Sequence, residues 1–291
     1  AEPDLFVPTG PSIGIAYRVH GVGLDEIALG QDDAVEAVLA EIGQILADLS
    51  VAGVKRKALI SANKNGFMYV IDRTNGKLIA ANPFVKVNWA SHVDLKTGRP
   101  VLTDVLERAM KGETVEVFPA RGTNASLIAF NPKTGLVYVN AWESSRIMKY
   151  TKVDFKLGAG STGIETSFRT PPNGEPWGYH MAFDPVTGKA VWKTPVKETY
   201  ISAGMLATDG GLLFTGRLNG DFIALDQTSG KELWKFKTGS GINAPAITYT
   251  HKGKQYVTIM SGTGGVLNRV MKVADIANTG GSVWTFALMK E

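Results

Sequence analysis

The residue types that carry most enzyme chemistry are few or scattered in this chain of 291 residues. Cysteine is absent, so the chain can form no disulfide, thiolate metal site or thiol nucleophile. The 4 histidines lie too far apart in sequence for a local pair of metal ligands, and no Gly-x-Ser-x-Gly elbow occurs. The sequence therefore gives no support to a zinc hydrolase or a serine hydrolase. These histidines are His20, His92, His180 and His251.

A glycine-rich stretch from Gly158 to Gly163 satisfies the dinucleotide-binding fingerprint and follows an alternating run over 153–157. The fingerprint requires a helix whose N-terminus receives the pyrophosphate. Here the chain soon reaches Pro171 and Pro172, so we expect no helix in that place. The stretch is interpreted as a loop rather than a nucleotide site.

A cation stands in a marked turn at 62–66, Ala-Asn-Lys-Asn-Gly. Asn65-Gly66 is a strong signal for a β-hairpin turn. Taken without other information, Lys64 is a turn lysine. The strands that would hold it follow from the pattern after Val51, where short apolar runs are bounded by Gly, Asn, Pro or Asp, which indicates an all-β protein. These runs include 67–71, 136–139, 211–214 and 255–260.

An internal repeat narrows the fold class to a β-propeller. The segments 182–192 and 224–234 share the pattern Ala-x-Asp-x-x-x-Gly-Lys-x-x-Trp, and weaker copies without Trp occur at 70–80, 92–102 and 129–139. Asp or Asn would close a turn on its own backbone, Gly would take positive φ, and the returning strand would bring Trp against a neighbour. Units of about 40–50 residues then stack as propeller blades. We expect Trp192 and Trp234 to be buried between blades.

Charge and periodicity set the first 50 residues apart. Residues 1–50 contain 9 acidic residues and the single base Arg18, whereas the other 241 residues contain 18 acidic and 30 basic residues. The net charges are therefore −8 and +12. We predict two parts, an acidic N-terminal segment at 1–50 and blades at 51–291. Apolar spacings of three and four predict an amphipathic helix over 32–49, through Val35, Val38, Leu39, Ile42, Ile45, Leu46 and Leu49.

Composition and charge also limit the function classes. With 44% hydrophobic and 20% charged residues, the chain resembles an ordinary globular protein, and no apolar run reaches the roughly 18 residues of a membrane span. The basic body suits an anionic ligand or an acidic protein partner. No stretch interleaves clustered Arg or Lys with aromatic residues, so we expect no nucleic-acid partner.

Several long motifs resemble the pyrroloquinoline-quinone (PQQ)-dependent alcohol and methanol dehydrogenases, from about Ile45 to Glu291. The resemblance implies an eight-bladed β-propeller, of which this chain matches the C-terminal half, or about four to five blades. The motifs occur in the family's order. They are Ala-Asn-Lys-Asn-Gly-Phe-Met-Tyr-Val-Ile-Asp-Arg-Thr-Asn-Gly-Lys-Leu at 62–78, Asn-Pro-Phe-Val-Lys-Val-Asn-Trp at 82–89, Val-Asp-Leu-Lys-Thr-Gly-Arg-Pro at 93–100, Met-Ala-Phe-Asp-Pro-Val-Thr-Gly-Lys at 181–189, Leu-Ala-Thr-Asp-Gly-Gly-Leu-Leu-Phe-Thr-Gly at 206–216 and Gly-Lys-Gln-Tyr-Val-Thr-Ile-Met-Ser-Gly-Thr-Gly-Gly at 253–265.

The resemblance also implies cofactor contacts. In the family, a lysine or arginine placed like Lys64 reaches the quinone oxygens of PQQ, and an asparagine placed like Asn124 contacts PQQ. An aromatic residue commonly follows that asparagine, whereas Ala125 follows here. The family's calcium or lanthanide ligands, its aspartate base and its disulfide come almost entirely from the half that this chain does not match. The catalytic and metal-binding residues are therefore left unassigned.

The implied function is the oxidation of a small alcohol by hydride transfer to PQQ, with electrons passed to a cytochrome in the periplasm. Two alternatives remain open. In the first, the chain is a non-catalytic propeller scaffold. In the second, it is a half-propeller that closes through a partner half or as a homo-oligomer.

Overall fold

Antiparallel sheets form almost all of the regular secondary structure in the described residues. A computed structural model describes residues 43–123, 126–151, 163–197, 203–262 and 280–287. Within these ranges it contains one α-helix, α1 (Asp104–Met110), and a 3₁₀ turn at Pro172–Gly174. None of the helices there is long and apolar enough to span a bilayer. The prediction of an all-β protein is confirmed.

The strands are short and follow one another closely along the chain. They are β1 (Gln44–Val51), β2 (Val54–Ala62), β3 (Phe67–Asp72), β4 (Leu78–Pro83), β5 (Ala90–Val93), β6 (Pro100–Leu102), β7 (Val115–Val117), β8 (Ala129–Asn131), β9 (Leu136–Trp142), β10 (Arg146–Tyr150), β11 (Ile164–Phe168), β12 (Gly178–Asp184), β13 (Lys189–Val196), β14 (Leu206–Ala207), β15 (Leu212–Gly216), β16 (Asp221–Asp226), β17 (Glu232–Lys237), β18 (Ile247–His251), β19 (Lys254–Ser261) and β20 (Ser282–Ala287).

Three four-stranded sheets form the main body. The first has the order β1-β2-β3-β4, the second β13-β12-β9-β8 and the third β14-β15-β16-β17. A fourth sheet, β18-β19-β20, follows them. Smaller sheets, β5-β6 and β11-β10-β7, arise from segments that extend the connections between the main strands. These repeated antiparallel sheets are the arrangement expected of propeller blades.

The predicted N-terminal helix is wrong where the structure describes it. Residues Gln44–Val51 form strand β1, which pairs along its whole length with β2. Ile45, Ala47 and Leu49 pack on the core shared with the second sheet, whereas Leu46 packs on the other face of the first sheet. A tight turn at Ala52-Gly53, both at positive φ, sets this hairpin register. Residues 32–42 of the predicted helix lie outside the described residues.

The cores between successive sheets hold the sheets in sequence. The buried side chains of β2, β3 and β9 meet between the first and second sheets. Those of β9, β12, β15 and β16 meet between the second and third sheets. Phe222, Ile242 and Ile259 join the third sheet to the fourth. Strand β1 contributes to the first of these cores, so residues on both sides of position 50 belong to one sheet.

The repeated turns have the predicted local structure. The Asp184 carboxylate accepts the main-chain N–H groups of Val186 and Thr187. Asp226 does the same for Thr228 and Ser229, whose hydroxyls also donate to it. Donation from Thr228 and then Ser229 lowers the pKa of Asp226 to about 2. Each turn is therefore closed by an aspartate side chain that caps its own backbone.

Trp192 connects the second sheet to the third, as predicted. Its side chain is 9% exposed, and its ring N–H donates to the Gln227 carbonyl at 2.9 Å. The ring lies over Gly230, where a Cβ would approach it to 2.4 Å, so only glycine fits under it. The burial predicted for Trp234 is wrong, because this ring is 39% exposed. Its described ring neighbours are Phe222, Phe236 and Phe286, which cover one side.

We expect Trp192→Ala to lower the free energy of unfolding by about 3–5 kcal/mol, because it opens a cavity between two sheets and removes a buried hydrogen bond. The matched control is Trp234→Ala. Its partly exposed ring should cost about 1–2 kcal/mol. Urea unfolding of both variants measures the difference, and equal losses would contradict the docking role of Trp192.

Candidate functional site

Lys64 lies in the turn between β2 and β3, which closes on its own asparagines. The N–H of Gly66 donates to the Asn63 carbonyl at 3.1 Å. The side-chain oxygens of Asn63 and Asn65 accept the N–H groups of Asn65 and Phe67, both at 3.0 Å. Gly66 has a φ of 99°. The predicted Asn65-Gly66 turn is confirmed, and it fixes the main chain at Lys64 locally.

Tertiary contacts add to this local closure. The Asn65 side chain donates to the Tyr69 hydroxyl at 2.8 Å. The main-chain carbonyl of Asn65 accepts the ring N–H of Trp89 at 3.0 Å. Burial raises the pKa of Tyr69 in spite of that hydrogen bond. The Tyr69 hydroxyl therefore stays protonated. Its hydrogen bond and that of Trp89 hold Asn65, and with it the turn, in place.

The segment 118–123 runs between this turn and the second sheet. The N–H of Gly122 donates to the Lys64 carbonyl at 2.8 Å, and the Gly122 carbonyl accepts the N–H of Trp142 at 2.7 Å. A Cβ at position 122 would lie 2.8 Å from Gly66 Cα and 2.9 Å from the Asn63 carbonyl oxygen. Glycine is thus required by close approach of the two backbones.

The structure brings Lys64 next to the segment that leads to Asn124. Asn124 itself lies outside the described residues, as do residues 158–162 of the glycine-rich stretch. The Lys64 side chain is exposed, and no described residue pairs with it. Thr123 is 3% exposed, and its hydroxyl is buried without a hydrogen-bond partner. Among the described residues, neither the Lys64 ammonium nor the Thr123 hydroxyl has an acceptor, and the main chains of both residues lie next to the Gly122 contact.

An aromatic and cationic cluster borders the same segment, and sequence reasoning missed it. The Arg121 guanidinium lies 5.1 Å from the Phe168 ring centroid and 5.5 Å from that of Trp142. Phe168 and Trp142 stack at 5.4 Å. These residues come from three separate parts of the chain, so no local motif connects them.

His180 is a buried structural group. Its Nδ1 lies 2.6 Å from Asn140 Oδ1, and the Asn140 amide donates to Thr215 Oγ1 at 3.1 Å and to the Ala203 carbonyl. Burial, followed by the charge of Arg217, lowers the pKa of His180 to about 3. His180 is therefore neutral at physiological pH, and this network ties the second sheet to the third.

The donor set around Lys64 fits an anionic, acceptor-rich group such as PQQ, because the Lys64 ammonium and the Thr123 hydroxyl have no acceptor within the described part of the chain. A metal ion finds no comparable set among the described ranges. In those ranges no group of three or more His, Asp or Glu side chains converges.

Comparison with known proteins shows the relationship. The family profile "Glucose/ethanol/alcohol dehydrogenase, beta-propeller domain" matches residues 143–257. The quinoprotein ethanol dehydrogenase of Pseudomonas putida is 41% identical over 252 residues, which are 81% of this chain and 40% of that protein. The chain belongs to the PQQ-dependent quinoprotein alcohol dehydrogenase family. It spans about two fifths of the length of that relative.

Solved structures of the family share the fold. A europium-containing methanol dehydrogenase is 31% identical with a TM-score of 0.78, over 85% of this chain and 47% of that chain. The quinohemoprotein alcohol dehydrogenase of Comamonas testosteroni is 34% identical with a TM-score of 0.72, over 84% of this chain and 38% of that chain. The fold resemblance predicted from sequence is therefore confirmed over most of this chain.

We expect Gly122→Ala to destabilise the protein by about 1–3 kcal/mol, because the new methyl group meets main-chain atoms that cannot rotate away. Gly210→Ala is the matched control. No atom lies within 4 Å of its added Cβ, so it should change stability by less than about 0.5 kcal/mol. Denaturant unfolding compares the two, and a neutral Gly122→Ala would contradict the close contact.

Proposed function

We propose that this chain is the part of a quinoprotein alcohol dehydrogenase that presents Lys64 to PQQ. The observation that carries the proposal is an exposed lysine in a rigid turn whose main chain is bonded to Gly122. Family membership supports PQQ as the cofactor. The activity, a small alcohol as substrate and a cytochrome as electron acceptor are part of the same proposal, because the relatives are much longer than this chain.

The turn itself does not require a lysine, which supports a role for its charge. The turn at 217–220 between β15 and β16 has the same hydrogen bonds, from Gly220 to the Arg217 carbonyl and from Asp221 to the Asn219 side chain. The place of Lys64 is taken there by Leu218, which is 3% exposed. A buried leucine satisfies the geometry, so the exposed cation at 64 is free to serve a ligand.

PQQ, when bound, supplies a quinone carbonyl that accepts hydride from the alcohol. The contribution of this chain is a fixed positive charge beside that carbonyl. Because the turn is already closed by hydrogen bonds, the Lys64 ammonium needs little reorganisation to stabilise negative charge on an oxygen. The Thr123 hydroxyl offers a further donor at the same place. We also propose that Asn124 contacts PQQ.

The metal ion of the proposed site, calcium or a lanthanide, would be held outside the described residues of this chain. We propose that its ligands and the general base come from the part of the protein that this chain lacks. A relative named as europium-containing supports a lanthanide as one choice. A periplasmic location is proposed from family resemblance alone.

We further propose that the first three sheets and the sheet β18-β20 are four consecutive blades of an open run. One face of the β18-β20 sheet packs on the third sheet through Ile259, Trp284 and Phe286. The register places Met260 beside Val283 on its other face, and these residues are 58% and 68% exposed. Ile247 and Tyr249 share that face, at 57% and 44% exposure.

Such an apolar face on a sheet requires a cover. We propose that the cover is the remainder of a propeller, since the chain spans only 40% of its relative. The chain alone should then self-associate through this face, as a homo-oligomer in place of the partner half. The first three sheets repeat the same face-to-face packing, which supports docking of a further blade on this face.

We expect sedimentation velocity to show concentration-dependent association of the chain alone, and the double variant Met260→Lys, Val283→Lys to be monomeric. Met110→Lys is the control, because Met110 is 72% exposed but lies on α1. It should associate like the unmodified chain. An unmodified chain that sediments as a monomer at every concentration would contradict the proposed cover.

We expect Lys64→Ala to weaken PQQ binding by about tenfold to a thousandfold, the effect of removing one preorganised donor. Lys64→Arg should restore part of the affinity, whereas Lys64→Gln keeps a donor but loses the charge and should not. Lys77→Ala removes an exposed lysine from the opposite end of β3 and should bind normally. Absorbance titration with PQQ measures all four variants.

Unchanged PQQ affinity in Lys64→Ala would contradict the role of this lysine. Absence of PQQ binding in the unmodified protein would favour a non-catalytic scaffold related to the family by ancestry.

A further inference from the structure

Arg146 begins strand β10 and faces the aromatic cluster beside Arg121. It pairs in register with Phe168 of β11 and with Val117 of β7. Directly paired residues of antiparallel strands point to the same side of the sheet. Arg146, Phe168 and Val117 therefore share one face of the small sheet, and that face meets Trp142 and Arg121.

One nitrogen of the Arg146 guanidinium lacks an acceptor among the described residues. The side chain is half-buried, and its Nε is buried without a hydrogen-bond partner. No carboxylate of the described residues acts on it: the charged or titratable neighbours are Arg121 and Tyr150. Burial, followed by the positive charge of Arg121, lowers the pKa of Arg146. Among the described residues Arg146 therefore has no counter-ion, and the charge that acts on it is that of Arg121.

Both acids of this small sheet, Glu116 and Glu165, lie on the opposite face. Glu116 accepts the Ser145 hydroxyl at 2.6 Å and pairs with Arg169 at 3.0 Å. Residues 116, 145 and 169 alternate with 117, 146 and 168, so Glu116 points away from Arg146. Glu116 thus pairs with the exposed Arg169, and neither acid of this sheet pairs with the half-buried Arg146.

A flat apolar wall stands beside these two cations. Trp142 and Phe168 stack with ring planes 26° apart, and Trp177 lies 6.4 Å from Trp142. Phe168 is 42% exposed, so part of the wall is open to a ligand. Stacking on the wall favours a planar ring, and a guanidinium fork matches a carboxylate.

We propose that Arg121, Arg146 and the Trp142–Phe168 stack form a binding site for a planar, carboxylate-bearing ligand. An anion bound at the half-buried Arg146 side chain would offset the positive charge of the two arginines. Gly122 follows Arg121 and bonds to the Lys64 carbonyl, so the site borders the Lys64 turn.

Two sources of this chemistry fit the site. One is PQQ itself, a planar tricarboxylate, and that source rests on the proposed function. The other is a separate aromatic carboxylate, which does not depend on it. Isothermal titration with PQQ and with pyridine-2,6-dicarboxylate separates the two. Pyridine-2,6-dicarboxamide controls for the ring without the charge.

The test variant is Arg146→Met, which keeps the length of the side chain and removes its charge. The matched control is Arg169→Met on the opposite face. We expect Arg146→Met to bind the dicarboxylate at least about tenfold more weakly, the loss typical of one charge-assisted hydrogen bond, and Arg169→Met to bind it normally. The dicarboxamide should not bind.

Thermal unfolding without ligand separates binding from a structural role. Because Arg146 has no counter-ion in the part of the chain that the structure describes, Arg146→Met should keep or raise the melting temperature. Arg146→Lys keeps the charge but not the planar fork, so it should fold normally and bind at an intermediate affinity. It keeps the proposal testable if Arg146→Met fails to fold.

The two sources give different outcomes. If Arg146→Met loses the binding of both PQQ and the dicarboxylate, the ligand group is a carboxylate of PQQ. If Arg146→Met loses dicarboxylate binding but keeps its PQQ affinity, the site is separate from that of PQQ. If the unmodified protein binds the dicarboxylate but not PQQ, this site stands while the proposed function fails. The inference is overturned if neither carboxylate binds the unmodified protein, or if both bind Arg146→Met and Arg146→Lys with unchanged affinity.

Discussion

The contact between the main chains at Gly122 determines the geometry of the whole candidate site. Its N–H reaches the Lys64 turn of the first sheet, and its carbonyl reaches Trp142 at the end of β9 in the second. Any side chain at 122 would meet the backbone of that turn. This single close approach places the main chains of Lys64, Thr123 and Arg121 next to one another, although Lys64 comes from a turn of the first sheet and the other two from the segment 118–123.

The same contact explains why charge could be concentrated there at low cost in stability. The turn around Lys64 and the segment 118–123 satisfy their backbone groups with each other, so the lysine side chain is not needed for folding. The aspartate-capped turns at Asp184 and Asp226 hold the other end of the hairpins in a similar way. The sheets are thus locked by local polar closure and by cores between them, while the side chains at one end remain available for a ligand.

Local features could be predicted from the sequence, and features that depend on neighbours could not. The turns at Asp184, Asp226 and Asn65-Gly66 follow from residues within one turn, so their patterns were sufficient. The helix expected over 32–49 conflicts with strand β1, because the apolar residues of 45–49 also fit an alternating pattern, and the Ala52-Gly53 turn with pairing to β2 decides between them. Trp192 and Trp234 end identical motifs, but only Trp192 meets a complete neighbouring sheet.

The candidate site likewise combines residues that the sequence could identify with residues that it could not. Family resemblance pointed to Lys64, whereas Arg121, Arg146 and Phe168 meet through sheet register that no local motif encodes. The direct test of the account is a titration of the unmodified chain with PQQ at low and high ionic strength. If the basic side chains around Gly122 bind a tricarboxylate, the affinity should fall clearly as salt screens the charges. Absence of binding at low salt, or an affinity independent of salt, would contradict it.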